Sequence, residues 1–191
     1  MSQYKIILSS NSPRRKELLA GLDLDFEVRV ISGIDESYPA DLAVDQVPEY
    51  LARKKAAAYD IADNELVITA DTIVTIDNMI LGKPKNDAEA HGMLKMLSGR
   101  THRVITGVCL SAKDRQRHFS VTSEVTFKVL TDQEIDYYIA KYHPLDKAGA
   151  YGIQEWIGYV GVTALNGSYF NVVGLPVQRI YEELTSEFLN R

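Results

Sequence analysis

Arg14, Arg15, Lys55 and Lys83, together with Asp35, Glu36 and Asp71, stand on loops, at strand ends or beside apolar helix faces of this 191-residue chain. Cations of this kind neutralise phosphate oxygens, and carboxylates hold a hard divalent ion through oxygen. A divalent ion, positive side chains and a carboxylate to handle water are the groups needed to hydrolyse a phosphoanhydride. Spacing along the chain does not make them converge, so the fold must.

Each position has a chemical and a structural reading. Arg14 and Arg15 follow Ser9-Ser10-Asn11-Ser12-Pro13, in which Ser12 suits a helix N-cap and Pro13 the first helical position. Two cations then fall in a first turn that is already positive. A phosphate chain in front would reverse that penalty, bonding the free N–H groups, Ser10 or Ser12, and the guanidinium forks. Two solvated arginines are the alternative. The Walker spacing is absent. Asp71 interrupts the apolar run 66–76, where an unpaired charge is costly to bury; a turn cap or a salt bridge at the strand end is the structural reading. Lys55 shares a helix side with Leu51, Ala52, Ala56 and Tyr59, so it either snorkels outward or points at an anion. Asp35 and Glu36 lie on an acidic loop, 32–37, facing a metal or solvent.

The elements that must position these groups read as alternating strands and helices. Lys5–Leu8 and residues 26–31 and 66–76 predict strands, with Met79–Leu81 folding back on the third as a hairpin that Gly82-Lys83-Pro84 closes. Residues 48–59 predict a helix. Asn86 with Glu89, and Thr131 with Glu134, predict capping boxes for two more. Thr101–Ser111 and residues 117–130 predict long antiparallel strands. Residues 156–165 and 168–173 around Asn166-Gly167 predict another hairpin, and Pro176 a closing helix with Val177, Ile180, Tyr181, Leu184 and Phe188 on one face. No repeat, linker or low-complexity stretch interrupts this order.

Composition narrows the class. An apolar content of 46% with 25% charged residues is that of a globular protein with a full core. A net charge of −5, with no basic stripe, argues against nucleic acid as a partner. No apolar run reaches membrane-spanning length, and the opening Met-Ser-Gln-Tyr-Lys is too soon followed by polar residues to be a leader, so the expected location is cytoplasmic. Cys109 is the single cysteine and reads as a buried thiol. His91, His102, His118 and His143 show no metal-ligand spacing. Neither a strand-GxGxxG-helix unit nor a GxSxG elbow occurs.

Blocks across nearly the whole chain resemble, in order, the Maf family of nucleoside triphosphate pyrophosphatases: SSNSPRRKELL (9–19), LARKKA (51–56), ADTIV (70–74), GKP (82–84), SGRTH (98–102), DKAGAYGIQ (146–154) and GSYFNVVGLP (167–176). The resemblance implies a single domain over 1–191. Its fold would be α/β, of the Maf and inosine-triphosphatase type, with a long mixed β-sheet flanked by helices and two lobes about a central cleft. It implies hydrolysis of a nucleoside triphosphate to monophosphate and pyrophosphate with Mg²⁺ or Mn²⁺. Asp71 would be the proton acceptor and, with Glu36, a metal ligand; Asp35 is the neighbouring alternative to Glu36. Lys55 and Lys83 would be catalytic lysines, and Ser10, Arg14 and Arg15 phosphate-binding residues.

Three positions that divide pyrimidine-triphosphate enzymes of the family from those preferring 7-methylguanine read Arg14, Thr72 and Gln154, and resemble the dTTP/UTP subgroup. A glutamine can donate to a pyrimidine carbonyl and accept from the ring N–H. Asn11 replaces the smaller residue of many relatives. The expected substrates are dTTP, UTP and modified pyrimidine triphosphates, in a house-cleaning role, with a homodimer as the candidate assembly. A nucleotide-responsive interaction protein, after the family's association with septum formation, is the competing reading; it would retain dTTP unchanged.

Overall fold

Parallel strands buried on both faces need near-continuous apolar runs, and Ile6-Ile7-Leu8 and Leu66-Val67-Ile68 supply them. In the computed structural model, which describes residues 4–189, these segments pair in register, Ile6 with Leu66 and Leu8 with Ile68. Residues 1–3, on which the leader reading rests, lie outside the described chain.

Among the described residues seven strands form one sheet: β1 (Lys5–Leu8), β2 (Phe26–Val28), β3 (Glu65–Ile76), β4 (Met79–Leu81), β5 (Thr101–Ser111), β6 (Gln116–Phe127) and β7 (Val162–Asn166). The order is β2-β1-β3-β5-β6-β7, with β4 paired to β3. β1 is parallel to β2 and β3, whereas β4 is antiparallel to β3 and β7 to β6, so the sheet is mixed. The flanking helices are α1 (Pro13–Ala20), α2 (Val47–Ala56), α3 (Asp87–Leu97), α4 (Asp132–Tyr142), α5 (Trp156–Gly161), α6 (Tyr169–Val173) and α7 (Val177–Glu183).

The chain divides into two compact units. The first contains the residues up to Asp71, Thr106–Val121 and the residues from Gly174 onward. Its core joins Ile6, Leu8, Leu66, Ile68 and Leu110 to Leu19 of α1 and Ile180 of α7. Helix α2 buries Leu51, Ala52 and Ala56, and its first turn rests directly on Gly107 of β5. A Cβ at Gly107 would lie 2.2 Å from the Pro48 carbonyl carbon, so only glycine permits this approach. The Thr69 hydroxyl in β3 donates to the Ala52 carbonyl at 2.7 Å, locking α2 beside the strand that carries Asp71.

The second unit contains Thr72–Ile105 and Thr122–Val173. Leu94 and Leu97 of α3, Ile135 and Tyr138 of α4, and Val104, Val125 and Phe127 of the strands form its core. Helix α4 opens on a complete capping box, Thr131 and Glu134 each bonding the other's backbone. Helix α3 has half of one. Asn86 accepts from the Glu89 N–H, but the Glu89 carboxylate turns back to the Lys85 N–H.

Several expectations are corrected. Residues 156–173 are helix, strand, helix rather than a hairpin. Ile157 and Gly161 turn inward four residues apart, a helical spacing, and Gly158 lies so close to the Ile153 carbonyl that any side chain would collide with it. After Gly167, with φ of +116°, the Ser168 hydroxyl accepts from the Asn171 N–H and starts α6. Strand β2 stops at Val28 because a side chain takes over its backbone groups: the Tyr59 hydroxyl donates to the Arg29 carbonyl and accepts from the Ile31 N–H. Strand β6 ends at Phe127, since Lys128 donates instead to the Gly161 carbonyl. Helix α2 ends at Ala56, three residues short of Tyr59. Tyr181 is exposed rather than part of the apolar face, whereas Leu184 and Phe188, at the two ends of a π-turn, are buried.

Candidate active site

The turn from β1 into α1 is held by its own hydroxyls. Ser10 Oγ, buried, accepts from the Ser12 N–H at 3.2 Å, and Ser12 Oγ accepts from the Arg15 N–H at 3.4 Å, the predicted N-cap. Arg14 and Arg15 therefore occupy the first turn of α1. Arg15 does not extend into solvent. Its Nε donates to the Gly174 carbonyl at 2.8 Å and Nη1 to the Ala70 carbonyl at 2.9 Å. Two carbonyl dipoles thus offset the cation that the helix start disfavours, and burial draws its pKa down.

Ala70 precedes Asp71, and Asp71 with Thr72 forms the half-buried break in an otherwise buried β3. Asp71 Oδ1 lies 2.6 Å from Lys55 Nζ, each side chain 15% exposed. The same ammonium lies 3.1 Å from Glu36 Oε1. Lys55 therefore points inward, as one of its two readings required, and Asp71 is salt-bridged at mid-strand.

Asp35 and Glu36 separate clearly. The Asp35 carboxylate accepts from the Ser37 N–H, the Ser37 hydroxyl and Lys54 Nζ, at 2.9, 2.6 and 2.8 Å. The Lys54 bond, then the Ser37 hydroxyl, holds its carboxyl well below the usual carboxylate range. Asp35 thus folds the acidic loop, and Glu36 is the carboxylate that reaches Lys55. Glu36 and Asp71 offer hard oxygen donors meeting at one cation, a set that suits Mg²⁺ or Mn²⁺ completed by water and phosphate oxygens. Among the described residues no larger cluster of metal-ligating side chains exists.

Thr72, Lys83 and Gln154 belong to the second unit. Lys83 is exposed, and the preceding Gly82 carbonyl accepts from the Gly149 N–H at 3.1 Å. Gly149 has φ of +68° and backs onto Val74, where a Cβ would come within 2.9 Å, so glycine is required there on two counts. Gln154 lies with its amide flat over Gly152. Its Oε1 is buried with no hydrogen-bond partner among the described residues, which leaves the NH₂ as the outward end. Sequence reasoning missed Gly107, Thr69 and Tyr138; a glycine inside an apolar strand run was the available signal for the first.

The Maf-like protein family matches residues 5–187. The chain belongs to this family. A dTTP/UTP pyrophosphatase from Parabacteroides distasonis is 60% identical over 186 residues, and one from Phocaeicola vulgatus 59%, each alignment covering 96% of both chains. A nucleoside-triphosphatase / dITP/XTP pyrophosphatase structure from Mycobacterium abscessus aligns over 94% of this chain and 93% of its own, at 13% identity and a TM-score of 0.48. Within the Maf-like chain the serine-arginine block is the β1–α1 turn, and the Ala-Asp-Thr block is the half-buried break in β3. The Asp-Lys-Ala-Gly block is the loop that braces Gly82.

Proposed function

We propose that this chain hydrolyses dTTP and UTP, and modified pyrimidine triphosphates, to the nucleoside monophosphate and pyrophosphate. The observation that carries the chemistry is the meeting of Glu36 and Asp71 at Lys55 Nζ. The names of the relatives at 59–60% identity supply the substrate class.

Asp71 is the proton acceptor for the attacking water, being the carboxylate least exposed to solvent in the cluster and the one held by Arg15 through its neighbour Ala70. Lys55 and Lys83 bind phosphate oxygens as point charges, and Arg14, Arg15 and Ser10 form the phosphate-binding turn. Glu36 and Asp71 would hold Mg²⁺ or Mn²⁺, which when bound supplies Lewis-acid charge neutralisation. The water oxygen bonds to the α-phosphorus, the α–β anhydride bond breaks, and the electron pair leaves on pyrophosphate. Gln154 and Thr72, with Arg14, select the base. The same reading places the enzyme in the cytoplasm, as one domain with two lobes, with a homodimer as the assembly that light scattering would test. Among the described residues no helix is long and apolar enough to cross a membrane.

Product analysis decides the matter. With dTTP or UTP and a divalent ion, dTMP or UMP should appear in step with pyrophosphate. Release of orthophosphate from the γ position, or recovery of intact dTTP as a binding module would give, overturns the proposal.

A further inference from the structure

Behind Gln154 lies a polar frame that none of the roles above uses. Tyr138, fully buried on α4, donates its hydroxyl to Glu155 Oε2 and accepts the Gly152 N–H at 3.0 Å. Glu155 Oε1 lies 3.2 Å from Lys147 Nζ, and the same buried ammonium bonds Asp146 Oδ1 at 2.7 Å. Both oxygens of Glu155 are thereby engaged, and the 146–155 turn is pinned to α4 immediately beside Gly152.

Gly152 is the floor of this frame. A Cβ there would lie 3.0 Å from Gln154 Nε2, 3.2 Å from Gln154 Oε1 and 3.1 Å from the Glu155 carboxyl carbon. The amide is therefore seated by contact on a bare Cα, with Oε1 buried and without a hydrogen-bond partner among the described residues. Turning the amide over would bury two N–H donors in place of one acceptor, which costs more where no partner exists. A donor held outward favours a base that presents a carbonyl at the facing position, as uracil and thymine do, and meets the amino group of cytosine donor to donor.

We propose that Gly152, held by Tyr138 and Glu155, is a specificity-positioning residue: its bare Cα lets the Gln154 amide lie against the turn with Oε1 covered and the donor end outward, and so selects 4-oxo over 4-amino pyrimidine triphosphates. This rests on the reading that Gln154 faces the base. Gly152 does not have a positive φ, so alanine fits the backbone, and what it displaces is the amide.

The test compares kcat/KM for UTP and CTP, by pyrophosphate release, in wild type, Gly152→Ala, Tyr138→Phe and Gln154→Ala. Gly152→Ala and Tyr138→Phe should each narrow the UTP:CTP ratio by about tenfold or more, with kcat for UTP falling less than the ratio. A merely structural role would lower Tm and leave the ratio alone. If Gln154→Ala collapses the ratio while folded Gly152→Ala retains it, the positioning role is overturned. If Gln154→Ala itself leaves the ratio unchanged, the base-reading assignment is overturned instead.

Discussion

Lys55 Nζ lies 2.6 Å from Asp71 Oδ1, so the carboxylate assigned to water is held by the lysine of α2. That helix reaches β3 only because Gly107 lets its first turn sit on the sheet. Asp71→Asn keeps the shape and removes the proposed proton acceptor. Turnover of dTTP should fall by about 10² to 10⁴, with Tm lowered because Lys55 loses its charged partner in a site only 15% exposed. A folded variant with wild-type kcat would make Asp71 a structural partner of Lys55.

Arg15, proposed for the phosphate-binding turn, is also a brace. Considered as a helix-start cation alone, its removal should relieve a small repulsion. The bonds to the Ala70 and Gly174 carbonyls reverse that expectation, because Arg15→Ala leaves both acceptors without their donor. The variant should lose roughly 1–3 kcal/mol of stability as well as activity, and Arg15→Lys should restore little, since one ammonium cannot replace the planar fork. Denaturant titration of the three proteins checks this; an Arg15→Ala midpoint at or above wild type would rule out the brace.

His102 makes stability depend on pH. It is buried against Phe127 and Tyr151, its Nε2 2.6 Å from the Tyr151 hydroxyl, and burial lowers its pKa to about 4. The folded state thus keeps the ring neutral where the unfolded chain, near 6.5, takes up a proton. Its contribution is fully present above about pH 6.5 and is lost as pH falls toward 4, on the order of 3 kcal/mol in all. Thermal melts at pH 7 and pH 5 should show a drop in wild type that is smaller in His102→Gln. Equal drops in the two proteins would remove His102 as the cause.

Asp35 should titrate below an ordinary aspartate because Lys54 and Ser37 bond its charged form. Since the folded pKa is depressed, the loop contact is present above the free value and is lost as pH falls through the folded one. Lys54→Met should bring the carboxyl ¹³C titration back up. It should also raise the Mg²⁺ concentration needed for half-maximal activity, since Asp35 orders the loop carrying Glu36. An unmoved Asp35 titration would show that Lys54 is not its partner in solution.

Local chemistry was legible in the sequence wherever the signal was short-range. Ser12 and Pro13 set the start of α1, Thr131 and Glu134 form their box, and Asp71 stands out inside an apolar strand. The family blocks singled out the candidate reactive residues for the same reason, since side-chain chemistry is written residue by residue. The 156–173 segment misled because Trp, Ile, Tyr and Val suit a strand by propensity, while the i,i+4 packing of Ile157 and Gly161 and the buried Asn171 depend on contacts made elsewhere in the chain. Only the tertiary structure separates Asp35 from Glu36: adjacent carboxylates are equivalent in sequence, and a loop turn sends one to Lys54 and the other to Lys55. Which end of the Gln154 amide is covered is likewise a tertiary matter, because donor and acceptor are equivalent in sequence until packing over the bare Cα of Gly152 buries Oε1.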